Sequence, residues 1–381
     1  MEKLTYLRLP LAIFCFLNFN ILQAQITVYG QSMATSIPAN TATAVATGLT
    51  VTSSENITDF TVSIIDSYSI NDQLGYTGSL PAGVTAESWN ATKRSLVFNG
   101  TATASEWQTF LRTVTINTGD VCSPETRQVS FAAGETYYNP LNGHFYRLTD
   151  AKSSWTNTQN TASSTSYYGR EGYLVTLTSE AENTFVTRLV GEDSWMGASD
   201  DFIQINDALG YTAYADQSAS EGNFFWVTGP EQGTQLTTGN GNGNQIPGVY
   251  QNWANNEPNN VAGGTEHFGH VYANAGNWND FPNSSSIFGI IEFGDMPNDI
   301  STSAPQFTKD ISIQGASSGS ITGGNVTVCE GSNSTTLTLN GLTGSVVRWE
   351  SSIDNFITTG TTIANTTTTL TVTNISETTY Y

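Results

Sequence analysis

The sequence predicts an α+β domain between two all-β sandwich domains, in a multidomain secreted chain of 381 residues. Both ends of the chain are filled by short runs in which apolar and polar residues alternate, as in half-buried strands. The middle instead contains two segments with the spacing of amphipathic helices, followed by long loops rich in Gly and Asn. These changes in pattern predict domain boundaries near residues 25, 136 and 297.

The first 24 residues have the pattern of a signal peptide. Lys3 and Arg8 precede an apolar run that ends at Leu22, and small or polar residues follow, which predicts cleavage near Ala24. The run is short and interrupted by asparagine, so an uncleaved anchor is the weaker alternative. We therefore expect a secreted or cell-surface protein with no membrane span in the mature chain.

Composition limits the classes of partner. Lys and Arg number 12 against 33 Asp and Glu, and the formal net charge of -21 disfavours nucleic acid and anionic membranes and favours cations. Acidity that serves solubility alone remains an alternative. Cys15 leaves with the signal peptide, and Cys122 and Cys329 are too few for a disulfide framework; their pairing and the oligomeric state are left open.

Residues 25–135 are predicted to form a β-sandwich. Three runs alternate strictly, and a helical turn capped at Ser105 is expected before a further strand in TASEWQTFLRTVTIN. This pattern resembles the cadherin-like modules of large bacterial surface proteins. The three runs are FTVSIID (60–66), SLVFNG (95–100) and RQVSFAA (127–133).

Residues 136–296 are predicted to be α+β. Ser179 and Glu182 form the pattern of a capping box, and Phe185 and Leu189 then fall on one helical face. A weaker helix is expected over 154–166, and GYLVTL (172–177) reads as a buried strand between the two helices.

Residues 297–381 return to alternation and are predicted to form a second sandwich. The pattern resembles the Ig-like modules repeated in secreted Bacteroidetes proteins. Because the chain stops at Tyr381 in a strand-like run, we expect this domain to be truncated at its C-terminal strand. The predicted strands are TTLTLNG (335–341), SVVRWESS (345–352) and TTTLTVTN (367–374).

One stretch of the middle domain, residues 252–281, concentrates carboxylate and amide oxygens in a chain with only 12% charged residues. Ca²⁺ takes about six to eight oxygen ligands of this mixed kind. An extended Glu-Pro-Asn segment, the loop after it and the next strand would direct their oxygens to one ion. The predicted metal ligands, and the basis for Ca²⁺ as cofactor, are Glu257, Asn259, Glu266, Asn279 and Asp280.

Five segments in order resemble the C-type lectin-like domain, over about 40% of the chain: GYLVTLTSEAENTFV, WMGASDD, EGNFFWVTGPE, the pair NWANNEPNN and GNWNDF, and FGIIEFG. The resemblance implies that fold, a cis Pro258, and Ca²⁺ held by the five residues above. It also implies that Glu-Pro-Asn selects glycans with mannose-, glucose- or fucose-type vicinal hydroxyls. The implied sugar contacts are Glu257, Asn259, Glu266, Asn279 and Phe281.

The chain departs from the family at several positions. Ala162 and Ile291 stand about where cysteines are expected, so apolar packing would replace a disulfide. Asn260 replaces a common aspartate, which leaves a second Ca²⁺ site dependent on Asp216 and Glu221. A zinc site at His267 and His270 is disfavoured because no third nitrogen or sulfur ligand lies nearby. The tryptophans expected in the core rather than in a sugar platform are Trp195, Trp226, Trp253 and Trp278.

No catalytic triad, phosphate loop or reactive cysteine setting is present, and the amides around Glu257 and Glu266 suit a cation better than a glycosidase acid. The sequence thus predicts a non-enzymatic, Ca²⁺-dependent carbohydrate-binding protein, an adhesin at the surface or secreted. One alternative is a protein-binding or structural adhesin whose lectin-like domain binds no sugar. Another is the binding accessory of a secreted enzyme.

Overall fold

The computed structural model describes residues 25–119, 126–239, 244–261, 263–273, 275–300, 303–314, 318–329, 331–342 and 345–381. The predicted signal peptide with Ala24, and Cys122, lie outside these residues. Cys329 is exposed and forms no disulfide with any described residue. Over the part of the chain that is described, no helix has the length and apolar character to cross a bilayer.

The N-terminal part is a β-structure with one helix, α1 (Ala104–Leu111). The N-cap of α1 is Thr103 and not Ser105, because Thr103 and Glu106 exchange hydrogen bonds in a complete capping box. The strands are β1 (Ile26–Tyr29), β2 (Thr35–Pro38), β3 (Thr43–Ala44), β4 (Thr50–Ser53), β5 (Ile57–Asp66), β6 (Asp72–Tyr76), β7 (Thr85–Ala86), β8 (Ser95–Ala102), β9 (Val114–Thr118) and β10 (Thr126–Ala133).

The described residues of the middle part include four helices: α2 (Trp155–Ser164), α3 (Glu180–Thr187), α4 (Phe202–Leu209) and α5 (Gln217–Ser220). Its strands are β11 (Tyr137–Tyr138), β12 (Phe145–Leu148), β13 (Ser166–Tyr167), β14 (Arg170–Leu174), β15 (Ser194–Ser199), β16 (Phe225–Trp226), β17 (Thr237–Thr238), β18 (Asn244–Gln245), β19 (Glu266–Val271), β20 (Trp278–Pro282) and β21 (Phe288–Phe293).

The C-terminal part contains six strands, of which the last five form two small sheets around Leu337, Trp349, Leu370 and Val372. The predicted strand over 345–352 is shorter in the structure, at three residues. The strands are β22 (Gln306–Gln314), β23 (Ser318–Thr322), β24 (Ser334–Leu342), β25 (Trp349–Ser351), β26 (Thr361–Ile363) and β27 (Thr369–Thr373).

Strand β22 corrects the predicted boundary at 297. It pairs antiparallel with β10 and parallel with β2, in a six-stranded sheet of order β2-β22-β10-β5-β8-β7. Phe307, Ile311 and Ile313 are buried in the same apolar core as Trp107 and Phe131. Residues 306–314 therefore belong to the N-terminal six-stranded sheet, and the middle part of the chain is inserted between two adjacent strands of that sheet.

The sheet of the middle part brings the candidate site together. Its main path runs β11-β12-β21-β15-β19-β20, with β14 added on β21 and β16 on β15. Strand β20 pairs antiparallel with β19, so that Asp280 lies opposite Gly269 and Trp278 opposite Val271. Space is tight in β15, where a Cβ on Gly197 would clash with the Thr228 hydroxyl oxygen.

The two predicted helices of the middle part are present. Ser154 caps α2 and Ser179 caps α3, each accepting from the backbone N–H three residues on. The Glu182 carboxylate, however, accepts from Thr178 and not from Ser179, so the α3 capping box is half formed. Ala162 and Ile291 are both buried in one apolar cluster, as expected for packing in place of a disulfide.

The four tryptophans belong to the core. Trp195, Trp226 and Trp278 are almost fully buried. Trp253 is half-buried and packs edge-on against Trp278 with ring centroids 5.8 Å apart. Their stacking contacts are thus used within the domain, which leaves them unsuited to act as sugar platforms.

Candidate functional site

The Glu257 carboxylate lies against that of Asp280 on the neighbouring strand. The peptide bond between Glu257 and Pro258 is cis, as expected. Burial, the Asp280 charge, a shared hydrogen bond with Asp280 and the Glu266 charge raise the pKa of Glu257 to about 7. Burial also raises the pKa of Asp280, although hydrogen bonds from backbone N–H groups oppose it. Two acidic groups are therefore held together where their negative charges repel each other.

Backbone N–H groups of the loop orient the other carboxylates. Asn259 N and Asn260 N donate to the two oxygens of Asp280 at 3.1 and 2.8 Å. Val261 N donates to Oε2 of Glu266 at 2.8 Å and also lies 3.0 Å from Oδ1 of Asn259. The loop after the cis bond is thus folded around its own acidic side chains, and these N–H groups offset part of their charge.

Asn279 and Phe281 lie on either side of Asp280 in β20. The Asn279 amide nitrogen donates to the Asp280 carbonyl oxygen at 2.6 Å and lies 3.1 Å from Nε2 of His270. The Phe281 ring packs on His270 and Trp195, with centroids 4.9 and 6.0 Å away, and is partly exposed. Burial lowers the pKa of His270 to about 4, so this imidazole is neutral near pH 7.

The predicted oxygen donors are brought into one region, but not around one point. Asp280 is in contact with Glu257 and with the loop, whereas Glu266 is turned to Val261. Two groups of three acidic or histidine side chains have ligand atoms within 4.8 Å of one another in the described ranges. Neither group contains a predicted Ca²⁺ ligand. At the predicted site, Oε2 of Glu257 is buried and has no hydrogen-bond partner among the described residues.

The first of the other groups joins Asp200, Glu221 and His267. Nδ1 of His267 lies 3.0 Å from Asp200 and 3.7 Å from Glu221, and Gly222 N donates to Asp200 at 2.7 Å. Glu221 was expected near a second cation site, but Asp216 instead caps α5. Sequence reasoning missed Asp200, although a carboxylate directly after the buried strand β15 was a signal for it.

The second group is a buried network around Tyr146. The Tyr146 hydroxyl lies 2.7 Å from Glu182 and 2.8 Å from Glu292, and Nδ1 of His144 lies 2.6 Å from Glu292. Thr176 N donates to the other Glu292 oxygen at 3.0 Å. Sequence reasoning missed this network too. The signal was Glu292 itself, a charged residue inside the apolar run FGIIEF.

Comparisons with known proteins cover parts of the chain. Residues 317–381 match the model of a domain of unknown function (DUF8696). Halomucin of Haloquadratum walsbyi is 32% identical over 249 residues, which is 63% of this chain and 2% of halomucin. The chain therefore spans a very small part of that relative.

Solved structures similar to the chain include C-type lectin domains. C-type lectin CEL-I from Cucumaria echinata is 20% identical, with 42% of this chain and 95% of that chain covered and a TM-score of 0.29. The carbohydrate-recognition domain of the mouse scavenger receptor C-type lectin is 19% identical, with coverages of 39% and 88% and a TM-score of 0.27.

Proposed function

We propose that residues 136–296 bind carbohydrate in a Ca²⁺-dependent manner, as part of a secreted or cell-surface protein. The observation that supports this most is the Glu257–Asp280 pair, with a buried Glu257 oxygen that no donor among the described residues satisfies. A buried acceptor without a partner is costly, and a divalent cation satisfies it while removing the repulsion between the carboxylates. The donors are all oxygens, which suits Ca²⁺.

The residues that would hold the ion are Glu257, Asn259, Glu266, Asn279 and Asp280. The ion would supply open coordination positions for two neighbouring sugar hydroxyls. The carboxylates would then accept from these hydroxyls and the amide NH₂ groups of Asn259 and Asn279 would donate to them, an order that discriminates between hydroxyl geometries. We infer mannose-type vicinal hydroxyls, with Phe281 as an additional contact at the edge.

A surface or secreted location is inferred from the N-terminal signal pattern. The name halomucin agrees with such a location. The similarity covers only 2% of halomucin, so no more than this is taken from it. The non-enzymatic assignment rests on the same site, where the clustered oxygens are better suited to holding a cation than to transferring a proton.

The first test is thermal unfolding of the full chain with Ca²⁺ and with chelator. Extracellular Ca²⁺ modules bind at about 10⁻⁴–10⁻³ M, so millimolar Ca²⁺ should stabilise the middle domain by roughly 1–2 kcal/mol. Identical unfolding curves in the two conditions would contradict the proposal.

A glycan array with Ca²⁺ and with chelator tests the sugar. Binding of mannose- or fucose-bearing glycans should need Ca²⁺ and be displaced by the free monosaccharide. A domain in which Ca²⁺ only stiffens the loop would be stabilised by the ion yet bind no glycan. A protein-binding adhesin would retain its partner in the presence of free mannose.

A further inference from the structure

A polar cleft lies beside α3. It has a volume of about 690 Å³ and is lined by α3, the turn before β20 and one residue of the N-terminal sandwich, Thr92. A larger cleft, about 1010 Å³, is lined by residues of the C-terminal part alone, and no described residue there has a buried side-chain atom lacking a partner. The cleft beside α3, in contrast, is lined by a residue with such atoms.

Arg188, the C-cap residue of α3, supplies that difference. Its guanidinium packs over the Phe185 ring, 4.4 Å from the centroid, and lines the cleft. Its Nε and Nη2 atoms are buried without a hydrogen-bond partner in the described part of the chain. Burial, together with the charge of Arg94, lowers the pKa of Arg188 to about 10. A desolvated cation of this kind is costly unless an anion pairs with it.

The remaining walls are polar and held in place. Nδ2 of Asn252 donates to the Gly276 carbonyl at 2.9 Å, and Nδ2 of Asn277 donates to Oδ1 of Asn252 at 3.2 Å. The Tyr250 ring packs edge-on against Trp278, with centroids 5.6 Å apart, and its other side is partly exposed. An aromatic ring beside fixed amides and threonine hydroxyls offers a sugar both a packing surface and hydrogen-bond partners.

We propose that this cleft binds a carboxylate-bearing sugar, such as a uronic acid residue, through Arg188 and without Ca²⁺. A guanidinium forms charge-assisted hydrogen bonds with a carboxylate, and Arg188 is the cationic residue that lines the cleft. Glu180 also lines the cleft, and the chain carries a net charge of -21, so a singly charged carboxylate is favoured over a doubly charged phosphate. Thr92 would extend the contact to the N-terminal sandwich.

This site does not depend on the proposed function. None of the five oxygen donors of the candidate Ca²⁺ site lines the cleft. Binding measured in chelator therefore reports on Arg188 alone, and failure of one site leaves the other intact.

The test compares two disaccharides that differ at one group, cellobiouronic acid and neutral cellobiose, titrated into the full chain in chelator. Cellobiouronic acid should bind more tightly than cellobiose. Arg188→Met, which keeps the packing on Phe185, should weaken binding of the acid by about tenfold or more. Arg147→Met is the charge control, because Arg147 is paired with Asp150 outside the cleft; it should leave binding unchanged.

Removing the opposing carboxylate should have the reverse effect. Glu180→Gln should strengthen binding of the acid by about twofold, a small change because the group is exposed, and should leave cellobiose unaffected. Equal binding of the two disaccharides, a requirement for Ca²⁺, or unchanged binding by Arg188→Met would each overturn the proposal. If Arg188→Met does not fold, Glu180→Gln decides, and unchanged binding by that variant overturns it.

Discussion

Replacing Glu257 by Gln should change the stability of the protein in opposite directions without and with Ca²⁺. Without a cation, Glu257 lies beside Asp280 and within the field of Glu266, and its buried oxygen has no partner. Gln removes one negative charge at almost the same volume. With Ca²⁺, the same substitution removes one of the carboxylates that we propose as ligands.

The size of the first effect follows from the pKa. The folded pKa of about 7 lies well above the ordinary value of a glutamate, 4.5, which sets an upper limit of roughly 3 kcal/mol on the destabilisation. Because Glu257 is partly exposed, solvent screening leaves about 1 kcal/mol. The folded pKa is raised, so stability without Ca²⁺ is lost as the pH rises from 4.5 through 7. At pH 8 in chelator, Glu257→Gln should therefore be the more stable protein.

The assay is urea unfolding of both proteins at pH 5 and pH 8, in chelator and in millimolar Ca²⁺. At pH 8 in Ca²⁺ the order should reverse, because the wild-type protein gains about 1–2 kcal/mol that the variant largely loses. The control is Glu55→Gln, at an exposed position of the N-terminal sandwich, which removes a charge without touching the site. If Glu257→Gln is less stable in both conditions, the carboxylates do not repel each other as argued.

Three further predictions concern specificity, pH and packing. Glu257→Gln with Asn259→Asp reverses donors and acceptors around the ion, so mannose-type binding should weaken and galactose-type binding appear, by about tenfold on a multivalent array. Burial opposes protonation of His144, but hydrogen bonds to carboxylates raise its pKa to about 9. The protein should therefore lose about 1 kcal/mol of stability as the pH rises from 6.5 to 9, measured by urea unfolding. The His144→Gln variant should show no such loss. Gly197→Ala should cost about 3 kcal/mol in urea unfolding, since its Cβ has no space, whereas Gly191→Ala, with open space, should cost less than about 1 kcal/mol.

Local signals accounted for the helices that the sequence predicted. Ser154 and Ser179 cap α2 and α3, each through a hydrogen bond between its hydroxyl and the backbone N–H three residues on. Because both groups lie within one turn, the local sequence is enough to predict the cap. Helix α4 was missed although Asp201 caps its start and Gly210 ends it in a left-handed conformation. Both signals lay in a Gly-rich region that was interpreted as loop.

Residues that are close in the sequence were predicted as part of the site, whereas residues that meet only through long-range strand pairing were missed. The proposed Ca²⁺ ligands lie in one short stretch, so a local motif was sufficient to propose them. His144 and Glu292 are 148 residues apart, and they meet because β12 pairs with β21. No local pattern encodes that pairing. For the same reason Asp200 and His267 meet only through the pairing of β15 with β19.

The insertion of the middle part between two strands of the N-terminal sheet is the clearest case of a long-range pairing that local sequence patterns do not show. The alternation of β22 identifies a strand but not the sheet that it joins, and the nearest strands along the chain suggested the C-terminal part. Nε2 of Gln128 donates to Oδ1 of Asp310, 182 residues away, because the pairing of β10 with β22 places the two residues opposite each other. Loop closure cost rises only slowly with length, so a folded domain between two paired strands is tolerated. Both ends of the middle part are thereby tied to one sheet, and Thr92 can line the same cleft as Arg188.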